Sequence, residues 1–236
     1  MALSLNTEQG LNALNLHKVP PLGGGGGTPI FITGTGTGIG KTLVSAIITE
    51  ALHADYWKPI QAGIAEGTDN DKVKSLVTNS STTYYDEVYK LKLSASPHIA
   101  AREEGDNIDL NKIIEHYKTI TSKTLVIEGA GGLMVPLNEN DFVIDLIERL
   151  QAKVILVSRN YLGSINHSLL TAALCRQRKL DVAGWIFNGG YQHYEEEIAG
   201  WSGYPKIASI PFTNNINSTF VSEQARVIKT SLLQYL

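Results

Sequence analysis

Glycines alternate with other residues in Gly34-Thr35-Gly36-Thr37-Gly38-Ile39-Gly40-Lys41-Thr42, and a lysine and a threonine close the run. Placed between an apolar strand and a helix, such a segment suits a polyphosphate. Glycine lets successive backbone N–H groups turn inward, and the new helix adds the positive end of its dipole. Lys41 would reach the β and γ phosphates, and the Thr42 hydroxyl would face Mg²⁺. The spacing is a variant of GxxxxGK(S/T): position 35 is threonine, and the first glycine stands one residue earlier, at Gly34. A dinucleotide-binding reading fails, because no GxGxxG register fits positions 34 to 40. The second strand also ends in Lys58, where that fold needs an acid for the ribose. No Asn-Lys-x-Asp run occurs, which disfavours a GTPase.

Lys58, in Tyr56-Trp57-Lys58-Pro59-Ile60-Gln61-Ala62-Gly63, brings a second cation to the same anionic site. Carboxylates stand nearby in sequence pattern: Asp69 and Asp71 in Gly67-Thr68-Asp69-Asn70-Asp71, and Glu128 in Val126-Ile127-Glu128-Gly129-Ala130-Gly131-Gly132. Mg²⁺ on a nucleotide takes a nearly octahedral oxygen shell, which Thr42, one or two carboxylates, phosphate oxygens and water can supply. Helix capping competes as the role of Asp69 and Asp71. A plain surface position at a strand end competes for Lys58.

These residues need a scaffold that gathers them, and the chain supplies the pattern of one. From Pro29 onward, short apolar runs alternate with amphipathic stretches, the form of β-α repeats. Strands are expected at 29–33, 55–60, 87–91, 124–128, 153–158, 182–187 and 206–210. Helices are expected at 41–52, 71–78, 111–121, 143–150, 164–177 and 222–233. The fold class is α/β: a single-domain P-loop NTPase-like fold with a mostly parallel central sheet flanked by helices. Ligands of such sheets sit beyond the carboxyl ends of the strands, where the residues singled out above fall. Residues 28–236 form this domain. Residues 1–27, which end in five consecutive glycines, read as a flexible tail that packs against nothing.

Composition narrows the partners. Formal net charge is -3, from 20 Lys and Arg against 23 Asp and Glu, so no general basic surface is available for nucleic acid or an anionic membrane. No apolar run reaches the roughly 18 residues of a transmembrane helix, and the N-terminus lacks a signal-peptide pattern. The single cysteine, Cys175, excludes an internal disulfide and reads as a small buried apolar residue. A reducing cytoplasm is the expected compartment.

In order along the chain, GTGTGIGKT, YWKPIQAG, SPHIAA, EGAGG, SRNYLGSINHSLLT and GWIFNGG resemble the dethiobiotin synthetase family, and the resemblance spans everything from about Thr28. It implies a cytoplasmic homodimeric ligase that uses ATP and Mg²⁺ to join CO2 to 7,8-diaminopelargonic acid. It assigns Gly36, Thr37, Gly38, Ile39, Gly40, Lys41 and Thr42 to ATP, Asn188 to adenine, and Thr42, Asp71 and Glu128 to the metal, with Asp69 as the alternative to Asp71. Lys41 and Lys58 are the implied catalytic lysines, and Lys58 also contacts substrate. Gly163, Ser164, Ile165 and Asn166, opening a helix, would hold the substrate's carboxylate from the neighbouring subunit. The chain has Ala62 where the family commonly has Ser or Thr, so a hydroxyl contact to substrate is missing there. His98, just after Ser96-Pro97 at a helix opening, reads as a packed residue. Two other readings compete, an amide-forming synthetase of the same nucleotide-binding superfamily and, in a different class, a partitioning-type ATP switch. Amide-forming synthetases usually carry a glutamine-handling domain for which this chain is too short. Partitioning-type ATP switches typically place a further lysine near the loop's start, where this chain has none.

Overall fold

Strands that are apolar at nearly every position must be covered on both faces, and the chain does this with two layers of helices around one sheet. The computed structural model describes residues 27–190 and 193–236. The tail expected at 1–27 therefore lies outside the described residues except for Gly27, which is exposed. In chain order the elements are β1 (Ile30–Gly34), α1 (Lys41–Leu52), β2 (Asp55–Trp57), β3 (Ile60–Ala62), α2 (Asp69–Leu76), β4 (Tyr84–Tyr85), β5 (Tyr89–Leu91), α3 (Pro97–Glu103), α4 (Leu110–Thr119), β6 (Leu125–Glu128), α5 (Val143–Leu150), β7 (Lys153–Arg159), α6 (Ser164–Gln177), β8 (Val182–Asn188), α7 (Glu195–Ser202), β9 (Lys206–Ile210) and α8 (Ser218–Tyr235).

The main sheet has seven strands in the order β4-β2-β6-β1-β7-β8-β9, and its neighbours pair in parallel throughout. Alternation along each strand divides the core. Ile30 and Ile32 of β1, Val126 of β6 and Ile155 and Val157 of β7 pack with Val44, Ile47 and Ile48 of α1 and Val221 and Ile228 of α8. Phe31, Ile127, Val154, Leu156, Trp185 and Phe187 point the other way, toward Ile144 and Ile147 of α5 and Ala172 and Cys175 of α6. The order reverses direction at β1, whose carboxyl end therefore opens into the crevice between outgoing crossovers. The phosphate loop leaves the sheet at that point.

Several boundaries differ from the sequence reading, each for a local reason. The strand expected at 55–60 is two strands, since β2 ends at Trp57 and β3 begins at Ile60 in a separate parallel pair with β5. Pro59 has no N–H to donate and restricts the residue before it, so the ladder breaks at Lys58 and Pro59. The strand expected at 87–91 is β5, in that small sheet, while the outer strand of the main sheet is the short β4, which the sequence reading missed. Helix α2 starts at Asp69, two residues before expected, because Thr68 is its N-cap. Helix α8 is longer at both ends than 222–233, with Asn217 as its cap accepting from Phe220 N. Helix α7, with Glu195, Glu196 and Glu197 in its first turn, was also missed; its polar opening conceals the period.

Among the described residues no helix is long and apolar enough to cross a membrane. Cys175 is fully buried in α6, and burial pushes its thiol up to about 12. Only the thiolate reacts, and at pH 8 roughly one such thiol in ten thousand is ionised. Iodoacetamide at pH 8 is therefore expected to leave the native protein unlabelled and to label it stoichiometrically in denaturant. Rapid labelling of the folded chain, read by intact mass, would contradict the burial.

Candidate active site

Four elements deliver one cluster of charges to the carboxyl edge of the sheet. The glycine-rich loop ends at Gly40, the N-cap of α1, with φ 93°, so Lys41 and Thr42 open the helix. Lys41 is buried, and its Nζ donates to the Gly36 carbonyl oxygen across the loop at 2.6 Å. Glu128 ends β6 at 1% exposure, and Asp69 opens α2. The Thr42 hydroxyl lies 3.0 Å from Asp69 Oδ1 and 2.8 Å from Glu128 Oε1. Lys58, where the chain leaves β2, places Nζ 2.5 Å from Asp69 Oδ2 and 3.0 Å from Glu128 Oε1. Tyr56, two residues earlier and within β2, donates its hydroxyl to Glu128 Oε2 at 2.9 Å.

The charges set one another. Burial works against the Lys58 ammonium, but Glu128 and Asp69 beside it outweigh burial and raise its pKa. For Asp69, burial pushes the carboxyl up, while Lys58, the hydrogen bonds from Lys58 and Thr42, and the field of Lys41 hold it below the usual range. Burial brings Lys41 down to about 8, with Glu128 opposing the change, Lys58 adding to it and Asp69 opposing. Tyr56 is driven well above its ordinary value by burial and by Glu128, so it stays a donor.

These donors fit Mg²⁺. Among the described residues there is no group of three or more His, Cys, Asp or Glu side chains that could hold a metal alone. Two carboxylates and a hydroxyl make a partial oxygen shell, which suits an ion that arrives with phosphate oxygens and water. The phosphate side of the site is also incomplete by itself: Thr35 Oγ1 is buried without a hydrogen-bond partner. At the far side of the loop, Asn188 ends β8, and its Nδ2 donates to the Ile39 carbonyl at 3.1 Å.

Lys41, Thr42, Lys58 and Glu128 are thus brought together, with Gly36, Thr37, Gly38, Ile39 and Gly40 in the connecting loop and Asn188 behind it. Asp71 is not in the cluster. It is exposed, and its Oδ2 accepts from Thr68 N at 3.1 Å and from Thr68 Oγ1 at 2.8 Å. Thr68 Oγ1 in turn accepts from Asp71 N at 3.0 Å, completing a capping box. Asp69, one helical position from the cap, stands beside Thr42 and Lys58, the place expected for Asp71 with Asp69 as its alternative. The aspartates are two residues apart, so they point to different sides of the helix. Tyr56 and Gln61, whose Oε1 accepts from Asp69 N at 3.2 Å, are the residues at this cluster that sequence reasoning missed. The spacing of Tyr56 and Lys58 along a strand was the available signal for the first.

Gly163, Ser164, Ile165 and Asn166 stand apart. Gly163, φ 104°, caps α6, Ser164 Oγ contacts Tyr194 Oη at 2.9 Å, and Asn166 is exposed. None of the four lines the 320 Å³ groove between the phosphate loop and α6, whose walls include Gly36, Gly132, Met134 and Leu170 and, directly after Asn166, His167. Ala62 ends β3 and His98 sits in the first turn of α3, with Nδ1 3.1 Å from Ser96 Oγ.

The fold and loop define the class: an α/β nucleotide-binding domain of the P-loop type. The AAA domain family matches residues 28–219. Solved structures sharing the fold include the MinD cell division protein of Aquifex aeolicus, at TM-score 0.55 and 16% identity over 88% of this chain and 96% of that one. Pyrococcus furiosus cell division ATPase MinD has TM-score 0.53 and 13% identity over 86% and 99%. Sequence relatives are far nearer. The ATP-dependent dethiobiotin synthetase BioD of Cytophaga hutchinsonii is 50% identical over 196 residues, 83% of this chain and 94% of that protein. The protein of the same name from Christiangramia forsetii is 52% identical over 169 residues, 72% of this chain and 79% of that protein. The chain belongs to the ATP-dependent dethiobiotin synthetase family.

Gly40 tests the loop. A Cβ there would lie 1.7 Å from Asn188 Nδ2, on a backbone at φ 93°, and a side chain in that conformation alone costs about 1–3 kcal/mol. Gly40→Ala is expected to weaken MgATP binding at least tenfold by titration calorimetry; wild-type affinity in the folded variant would contradict this geometry.

Proposed function

We propose that the chain carries out MgATP-dependent carboxylation and ring closure of 7,8-diaminopelargonic acid, giving dethiobiotin, ADP and phosphate in biotin biosynthesis in the cytoplasm. The observation that carries this reading is the convergence of Lys41, Thr42, Lys58, Asp69 and Glu128 at one sheet edge, in a chain of the synthetase family. One substrate amine takes up CO2 as a carbamate anion. A carbamate oxygen attacks the γ phosphorus, and ADP leaves. The second amine then attacks the carbamate carbon, closing the cyclic urea and expelling phosphate.

Both reactants of the phosphoryl step are anions, so their approach needs fixed positive charge. Lys41 is proposed to sit at the β and γ phosphates. Lys58 is proposed to face the carbamate from the adjoining strand end. Mg²⁺, held by Thr42, Asp69 and Glu128, would supply further charge neutralisation at the phosphates when bound. No nucleophilic side chain is needed, and orientation of three reacting groups supplies much of the remaining effect. Asn188 is proposed as an adenine contact.

The α6 turn at residues 163–166 is proposed to bind the substrate carboxylate in the neighbouring subunit of a homodimer. Its place at the exposed opening of α6 supports this, with exposed Leu162 beside it at 88% exposure and Leu170 further along the helix at 61%.

Purified protein given MgATP, bicarbonate and 7,8-diaminopelargonic acid is expected to release ADP and form dethiobiotin, detected by mass, only when all three are present. ATP hydrolysis without dethiobiotin would sink the substrate assignment. Among the acids, Asp69→Asn is expected to raise the Mg²⁺ concentration for half-maximal turnover at least tenfold, while Asp71→Asn leaves it unchanged. The reverse pattern would return the metal to Asp71.

A further inference from the structure

Beside the metal donors, Gln61 is buried at 6% exposure, and its amide makes contacts in two directions. Oε1 accepts from Asp69 N at 3.2 Å. Nε2 donates to the Gly63 carbonyl at 3.0 Å and lies 3.4 Å from that of Ala62. The orientation of the amide follows from its partners, since a flipped group would set NH2 against an N–H and oxygen against a carbonyl. Asp69 is the first residue of α2, so its N–H has no acceptor within the helix. Thr68 Oγ1 serves Asp71 N instead. The N-terminus is therefore capped from two sides, locally by Thr68 and from β3 by Gln61.

We infer that Gln61 is a positioning residue of the synthetase site, holding Asp69 toward Thr42 and Lys58 while securing the Ala62 and Gly63 turn. The inference rests on the proposal that Asp69 is a Mg²⁺ ligand. Asp69 has little freedom once its backbone N–H is fixed: Oδ1 lies against Thr42 and Oδ2 against Lys58. Losing the Gln61 acceptor leaves that N–H unsatisfied in a partly buried place and releases the first turn of α2. Partners that orient a metal ligand are commonly worth 10–100-fold in metal affinity. The other arm acts on a different segment. Gly63 turns at φ 79° just after β3, and its carbonyl is held by Gln61 on the stretch of chain that begins at Lys58.

The two arms separate by substitution. Gln61→Met keeps much of the volume and removes both contacts; Gln61→Glu keeps an acceptor for Asp69 N and loses the donor to Gly63. Binding of a fluorescent non-hydrolysable ATP analogue is measured in EDTA and across a Mg²⁺ titration, together with the KM for the diamino acid at saturating Mg²⁺. Gln61→Met is expected to raise the Mg²⁺ midpoint about tenfold with affinity in EDTA unchanged, and to raise the KM. Gln61→Glu is expected to raise the KM without raising the midpoint. A Met variant that melts like wild type but keeps its Mg²⁺ midpoint within twofold overturns the inference, as does a Glu variant whose midpoint rises like that of Met. Loss of affinity in EDTA equal to the loss in Mg²⁺ identifies a general structural role and also overturns it. Wild-type binding that ignores Mg²⁺ overturns the metal reading of the site and this inference with it.

Discussion

The ammonium of Lys58, held between the carboxylates of Asp69 and Glu128, is the contact on which the ligand edge depends. Its side chain is 6% exposed and that of Glu128 1%, and an uncompensated ion in such surroundings costs several kcal/mol. The three groups come from the end of β2, the start of α2 and the end of β6. Satisfying one buried charge therefore fixes how those elements meet. Thr42 adds the start of α1 to the same point, and Tyr56 satisfies the second oxygen of Glu128, Oε2. Burial dominates the pKa of Lys41, and Glu128 and Asp69 offset it only in part while the Lys58 charge adds to it.

Pro59 makes this arrangement possible. By ending the β2 ladder it frees Lys58 from strand pairing and passes the chain to the small β3 and β5 sheet. The Pro59 carbonyl accepts from Val88 N and Tyr89 N at 2.9 and 3.0 Å, so the break is anchored on its far side. The same detour places Gln61 under the first turn of α2 and orients Asp69 inward. A continuous strand would have carried residues 58 to 62 along the main sheet and away from Asp69.

The scaffold alone carries little of this specificity. MinD cell division proteins at 13% and 16% identity share the fold over most of their length, while relatives named as dethiobiotin synthetases share half of the aligned residues. Structural similarity therefore reaches the fold alone, and the synthetase assignment depends on the nearer sequence relationship.

Much was legible from sequence because local chemistry determined it. Alternating glycines before Lys41 and Thr42 specify a loop and helix start whatever surrounds them, and apolar runs with intervening amphipathic stretches specify a parallel sheet covered on both faces. Helices α1, α5 and α6 begin and end where their periods and breakers place them. Tertiary structure decided the rest. Asp69 and Asp71 have the same side chain two positions apart, and only the placement of Thr68, Gln61 and Lys58 around the start of α2 separates a capping carboxylate from one facing Thr42 and Lys58. Sequence spacing cannot express that difference, because it arises from contacts between residues of β2, β3, α2 and β6 that meet only after the sheet has formed.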